Sequence, residues 1–244
     1  MKLERMTQKV YQELTSNPMF GLMLSIGMYL FALAIFKKFP FPLFNPLVLS
    51  TIFVIIILKV GRISYENYFE GGTILNILIT PATVALGIPL YNTFHLLKKH
   101  VRSILTGIIC GTIASTFLTG ALAVALHLKK DLIVSIMPKS VTTAIALGIS
   151  EKMNGIATVT LVMVIVTGII GSIIGPPILK RLKVEDPVAK GIALGTSAHA
   201  IGTSKALEMG HVEGAMSGLA IGVTGVVTVF VAPLMMKFIL VIFF

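Results

Sequence analysis

About eight apolar segments follow one another along this 244-residue chain, with short polar links between them. A helix needs about 20 apolar residues to cross the hydrocarbon core of a bilayer. Only 12% of the residues are charged, about half the share in a typical soluble domain, so the charges are too few to cover a water-facing surface. The pattern predicts an all-α polytopic membrane protein. The segments are 19–36, 39–58, 73–97, 101–126, 131–150, 155–179, 187–210 and 214–244.

Charge placement predicts the organisation of the chain. Residues 1–18 are polar and are expected to form a cytoplasmic lead-in, and 19–244 are expected to form one transmembrane domain of the transporter type. Most Lys and Arg lie in the short links, as orientation signals do. Loop charges therefore explain the net charge of +10, and no nucleic-acid partner is expected. Counting them predicts a multi-pass protein of the cytoplasmic membrane with its N-terminus in the cytoplasm.

Three of the segments, 73–97, 131–150 and 187–210, are interrupted by Pro, Gly or polar residues. Polar, irregular backbone at membrane depth is tolerated only where it is buried in protein or lines a wet cavity. Each of these segments either crosses the membrane as a discontinuous helix or re-enters on the side it came from. The count of loop charges predicts the same orientation for both courses, so both stay open here.

Matching residues in the last two interrupted segments indicate internal repeats, although chance accounts for part of the similarity in a chain this rich in Ala, Leu and Gly. Thr143, Ala146 and Leu147 recur as Thr203, Ala206 and Leu207, and the Thr-Gly pair at 167–168 recurs at 224–225. An interrupted segment followed by a Gly-containing span thus occurs twice. Paired discontinuous helices in repeats are a recurrent plan of secondary transporters, with the substrate near the midplane.

Two polar runs, 137–143 and 197–205, are the candidate site. Lys139 is the sharpest signal, because a Lys at membrane depth costs about 2.5–3.5 kcal/mol on insertion scales; the alternative is that it snorkels to the headgroups. Pro138 suits the first position of a helix, which would leave the N–H groups of Ser140 and Val141 free beside Lys139 to bind a carboxylate or phosphate.

The second run supplies a counterpart, in which His199 and Thr203 are spaced i,i+4 like Lys139 and Thr143. Lys205 is equally well explained by a pair with Glu208. The sequence has no HExxH motif, carboxylate dyad or Gly-rich phosphate loop, so no enzymatic activity, metal or cofactor is expected. The candidate substrate-binding residues are Lys139, Ser140, Thr142, Thr143, His199, Gly202, Thr203, Ser204 and Lys205.

Two further patterns carry structural expectations. Gly107, Gly111, Ala114 and Ser115 form a small-residue face in the 101–126 segment, of the kind that lets helices pack closely in lipid. The polar and aromatic stretch 63–72 is expected to be an interfacial loop.

Several motifs resemble those of the LrgB/CidB family of bacterial membrane proteins, from about residue 17 to the C-terminus. The most specific are PKSVTT at 138–143 and SAHAIGT at 197–203, the second with a minor departure from the family pattern. The resemblance confirms no activity by itself, but the family is similar to the C-terminal part of the plastid glycolate/glycerate translocator.

The resemblance implies two functions of different classes. The first is a carrier for small monocarboxylates such as glycolate, lactate or pyruvate, working by alternating access around the two interrupted segments, with a coupling proton or cation that the sequence does not identify. The second is a holin- or antiholin-like pore or regulator of murein hydrolase export and autolysis. A small membrane partner of the LrgA/CidA type, contact with membrane lipid and a homo-oligomer are also expected.

Overall fold

Helices make up almost all of the described chain, which confirms the all-α membrane-protein expectation. Within the described residues of this computed structural model, four helices are long and apolar enough to cross a bilayer: Pro18–Lys38, Lys98–Ala125, Ala157–Arg181 and His211–Ile239. The structure describes residues 11–39, 44–78, 81, 84–85, 87–92 and 94–243.

The contacts group the chain into two units, 1–84 and 85–244. The prediction of a single domain over 19–244 stays a prediction, as does the lead-in, of which residues 1–10 lie outside the described part. In the 73–97 segment, residues 79–80, 82–83, 86 and 93 also lie outside the described part. Whether this segment crosses the membrane or re-enters therefore stays a prediction.

Three helices in the described part of the first unit have starts that are set by caps. Asn17, Asn45 and Ser64 each accept a hydrogen bond from a backbone N–H of the first turn, which satisfies one of the donors that a helix start leaves unpaired. The expectation of a loop at 63–72 is wrong, because the Ser64 cap starts a helix there. The helices are α1 (Pro18–Lys38), α2 (Pro46–Gly61) and α3 (Tyr65–Ile77).

The second unit contains the candidate site. Its helix Phe94–Ala125 bends at His100, which has a non-helical backbone conformation. The helices are α4 (Gly87–Asn92), α5 (Phe94–Ala125), α6 (Lys130–Ile136), α7 (Thr143–Lys152), α8 (Ala157–Arg181), α9 (Pro187–Met209) and α10 (His211–Phe243).

Helix α9 breaks in its middle and turns back. Ala198 has φ −131° and ψ 17°, and His199 has φ 42° and ψ −136°. In a straight helix, residues eight apart lie about 12 Å apart along the axis. A methyl group on Gly202 would nevertheless lie 2.6 Å from the carbonyl oxygen of Leu194. The two halves of α9 are therefore packed side by side, as the arms of a re-entrant hairpin.

Contacts with α10 give the directions of these two arms. In the first arm, Gly191 lies against Glu213, and Thr196, further along, lies beside Thr224. In the second arm the order is reversed, because Thr203 pairs with Ser217 whereas the later Leu207 lies against Gly214. The first arm thus runs parallel to α10 and the second antiparallel to it, which establishes the turn. We call 187–209 the second hairpin and Ala198–His199 its tip.

The 131–150 segment also turns back, with α6 and α7 as its arms. Residues at its two outer ends line one depression, which includes Lys129, Lys152 and Lys237. Deeper in, Ile133 and Ile149 belong to one apolar cluster. A crossing segment would place these outer ends on opposite sides of the membrane. We call 130–152 the first hairpin and residues 137–142 its tip.

The two hairpins enter from opposite sides. The first hairpin opens beside the start of α8, where the Ile156 N–H donates to Ser135 Oγ at 2.7 Å. The second hairpin lies beside the end of α8, where Gly175 packs against Leu194. Since α8 is long enough to cross the membrane, its two ends mark the two sides. The repeats of the sequence are therefore folded with inverted orientation, as in many secondary transporters.

Candidate functional site at the hairpin tips

The two tips meet at the middle of α8. Val141 of the first tip packs in a buried apolar cluster with Val164. The carbonyl oxygen of Val164 lies 3.0 Å from Nε2 of His199 in the second tip. Gly168, at the centre of the same helix, lies against the His199 ring and leaves no room for a Cβ. Polar backbone from both hairpins is thereby brought to one level of the unit.

At the first tip, the Lys139 ammonium is connected through hydrogen bonds to two serine hydroxyl groups. Lys139 is half-buried, and its Nζ donates to Ser140 Oγ at 3.3 Å. The Ser140 hydroxyl lies 3.1 Å from the Ser115 hydroxyl on α5. Among the described residues, no carboxylate forms an ion pair with Lys139, so this charge is available for an anion.

The helix after Lys139 begins later than its sequence suggests. The N–H of Lys139 donates to Ile136 O at 3.3 Å, and that of Val141 to Pro138 O at 3.5 Å, so the chain continues as tight turns through Pro138. Helix α7 starts at Thr143, with Thr142 in the capping position but without a side-chain cap bond. The expectations that Pro138 starts a helix and that the Val141 N–H is free are therefore wrong.

The second tip uses its polar groups mainly to hold the hairpin together. His199 is buried, and its ring binds the backbone of α8. Thr203 is also buried, and its hydroxyl lies 2.7 Å from the Ser217 hydroxyl and 3.1 Å from the His199 carbonyl. Gly202 lies at the closest approach of the two arms. The assignment of these three residues to substrate binding stays a prediction.

The last two candidates of the second run lie on the outer face of its second arm. Ser204 is exposed and donates back to Ala200 O at 3.3 Å. Lys205 forms an ion pair with Glu208 at 2.7 Å, with about a third of its side chain exposed. The structure thus supports the pair as the explanation of Lys205. The nine candidates divide into two groups. One group comprises Lys139, Ser140 and Thr142 at the first tip and Thr143 at the start of α7, and the other belongs mostly to the packing of the second hairpin.

A cavity of about 530 Å³ leads towards the first group. It runs between α5 and the first arm of the second hairpin, from His100 and Asp186 at one end to Ser115 and Ser197 at the other. Its walls are mostly aliphatic. Because Ser115 also contacts Ser140, the deep end of the cavity lies two hydroxyl groups away from the Lys139 ammonium.

Ser115 is the group that sequence reasoning missed. It belongs to the small-residue face for which we expected only helix packing. That packing exists, since a methyl group on Gly111 would lie 3.4 Å from Thr196 Cγ2. The same face also lines the cavity at Gly107, Gly111 and Ser115. A serine at the end of a stripe of small residues was the available signal.

Comparison with known proteins identifies relatives over nearly the whole chain. Residues 25–238 match the LrgB-like family. The antiholin-like protein LrgB of Bacillus subtilis (strain 168) is 41% identical over 228 residues, which are 93% of this chain and 99% of the relative. The protein of the same name from Bacillus cereus (strain B4264) is 41% identical over 226 residues, 92% of this chain and 98% of the relative. No solved structure shows a significant match. These matches confirm the resemblance carried by the two polar runs: the chain belongs to the LrgB-like family.

Proposed function

We propose that this chain is an antiholin-like protein of the cytoplasmic membrane, with its N-terminus in the cytoplasm. The names of the two relatives given above support the antiholin-like role. Since both are named antiholin-like, they favour the second function implied by the sequence over the first. A small membrane partner of the LrgA type and a homo-oligomeric assembly belong to the same proposal.

We further propose that the molecular activity behind this role is the transport of small monocarboxylates by alternating access. The observation that carries this proposal is the meeting of two oppositely oriented hairpins at mid-span, with the Lys139 ammonium at one tip. Inverted repeats with discontinuous segments place substrate sites at such meeting points in secondary transporters. A single ammonium with neighbouring hydroxyl groups suits one carboxylate.

The packing around the tips favours a carrier over an open pore. On one side of the tips lies the cavity along α5. On the other side, the space between α5, the first hairpin and α10 is filled by a buried apolar cluster that includes Met137, Met236 and Ile239. A conformation open to one side and closed to the other is what alternating access requires. A regulator that only opened holes would have no use for an ammonium at this depth that forms no ion pair among the described residues.

Proteoliposomes of the purified protein test the proposed activity. We expect uptake of radiolabelled glycolate, lactate or pyruvate that saturates with concentration and is competed by unlabelled lactate but not by its neutral amide. A carboxyfluorescein dye trapped in the same liposomes should stay inside. Release of the dye, together with uptake that neither saturates nor depends on charge, would instead establish the pore.

The link between transport and the antiholin-like role needs a separate test in cells that lack the endogenous protein. If the role depends on carboxylate flux, a variant that inserts normally but does not transport should fail to restore the control of lysis. Full restoration by such a variant would separate the two proposals and leave only the regulatory one.

A further inference from the structure

The cavity between α5 and the second hairpin has one polar end within the protein. Its walls are formed by Ile104, Val188 and Ile192, whereas hydroxyl groups gather where it approaches the first tip. Ser115 is half-buried at that end, and its hydroxyl lies 3.1 Å from that of Ser140, which accepts the hydrogen bond from Lys139. The cavity therefore ends at a cluster of donors that includes one cation.

We propose that this cavity is the entry path for the substrate and that Ser115 is a substrate-binding residue, which binds the carboxylate together with Ser140 and Lys139. This inference rests on the proposed carrier function. A carboxylate that reached the end of the cavity would meet the Ser115 hydroxyl first, and the Ser140 hydroxyl and Lys139 ammonium directly behind it.

The walls also define the class of substrate. Between its two ends the cavity is lined mainly by Ile104, Val188, Ile192 and small residues. A second carboxylate or an ammonium group on the substrate would meet no opposite charge there among the described residues and would be costly to bury. A short apolar tail would instead match these walls. The middle of the cavity therefore favours small acids with one carboxylate and no further charge over dicarboxylates and amino acids.

The outer end of the cavity lies towards the side of the membrane on which the second hairpin begins. Its outer end contains Asp186, in the link between α8 and the second hairpin. The opposite side of the tips is closed by the apolar cluster around Met137. In this conformation the site is thus reached from the side on which the second hairpin begins, and the first hairpin must move to open the other side.

Binding of lactate to the protein purified in detergent tests the role of Ser115 without requiring transport. We expect Ser115→Ala to weaken binding about ten-fold or more, because a hydrogen bond to a charged group is lost. Ser103→Ala is a matched control, since Ser103 lies on the same helix and lines the same cavity, about 18 Å away along the axis. Equal binding by the two variants would overturn the assignment. A wild-type protein that binds lactate but does not transport it would overturn only the carrier function.

Labelling with an impermeant thiol reagent tests the path itself, in a Cys110→Ala background. Ser115→Cys should react from the same side as Lys183→Cys, which lies in the link near the cavity's outer end, and lactate should slow the reaction. Ile113→Cys, at an exposed apolar position on the same helix, should not react, because it faces lipid. Reaction of Ser115→Cys from the side of Lys129→Cys, from both sides or from neither would overturn the proposed path.

Discussion

Lys139→Met is expected to abolish saturable monocarboxylate uptake while the protein still inserts and folds. A charge-assisted hydrogen bond contributes about 1.5–3 kcal/mol, so its loss should weaken substrate affinity about ten- to hundred-fold. The folded state should tolerate the change, because Lys139 forms no ion pair among the described residues and its hydrogen-bond partner Ser140 keeps Ser115 as a neighbour. Initial rates of uptake over a range of lactate concentrations, with thermal unfolding in parallel, measure both effects.

Lys205→Met provides the matched control. Lys205 lies in the other polar run and is also a lysine near an interrupted segment, but it pairs with Glu208 at the surface of the hairpin. Exposed pairs of this kind contribute about 0–1 kcal/mol, so uptake should stay close to that of the wild type. Normal uptake by Lys139→Met, or equal losses in both variants, would contradict the assignment of Lys139 to the substrate.

Gly202→Ala is expected to destabilise the protein strongly, although it adds only one methyl group. That group would lie 2.6 Å from Leu194 O and 2.7 Å from the Ala198 Cβ, closer than side-chain carbons approach other atoms. Since one neighbour is backbone, the two arms of the second hairpin would have to separate. Overpacking of this kind typically costs about 1–3 kcal/mol. Thermal unfolding and the yield of monodisperse protein are the measurements.

Gly222→Ala is the control for this substitution. Gly222 is a helical glycine on α10, and no atom of the described residues lies within 4 Å of the position its Cβ would take, so alanine should be neutral or slightly stabilising there. If Gly202→Ala were as stable as Gly222→Ala, the arms could not be packed side by side. The hairpin interpretation of 187–209 would then be wrong.

The interruptions of the last two broken segments could be predicted from the sequence because they are local. The Pro-Lys-Ser run at 138–140 and the polar run after Ser197 both fall where the helices end or break. The repeat was visible in the Thr-Gly pairs. In the structure, each glycine of these pairs lies against the hairpin of the other repeat, because Gly168 meets His199 and Gly225 meets Ile145.

The courses of these segments could not be predicted, because re-entry is established by long-range contacts. Loop charges give the same orientation for both courses, whereas the contact of Gly202 with Leu194 exists only in the hairpin. The 63–72 stretch was mistaken for a loop because its Tyr and Glu residues resemble an interfacial link. Its Ser64 cap, which accepts a hydrogen bond from the Asn67 N–H at 3.2 Å, was the signal for a helix.

The candidate site could be predicted for the first tip and only in part for the second. Lys139 could be identified from the sequence because a charged side chain in an apolar segment is costly to insert into the membrane and therefore indicates a function. His199 and Thr203 are likewise polar residues in an apolar segment. Their partners, however, are Val164 and Ser217, on helices distant in sequence. No pattern within 197–205 distinguishes a polar group that holds a tip from one that holds a ligand.

The measurement that tests the inverted hairpins most directly is sided labelling of single cysteines at the ends of both hairpins. Lys129→Cys and Lys152→Cys should react with an impermeant thiol reagent from one side of the membrane, and Lys183→Cys and Glu208→Cys from the other, all in the Cys110→Ala background. Reaction of the Lys129 and Lys152 variants from opposite sides would mean that 131–150 crosses the membrane. The two tips would then not meet as inverted repeats, and the proposed site would lose its structural basis.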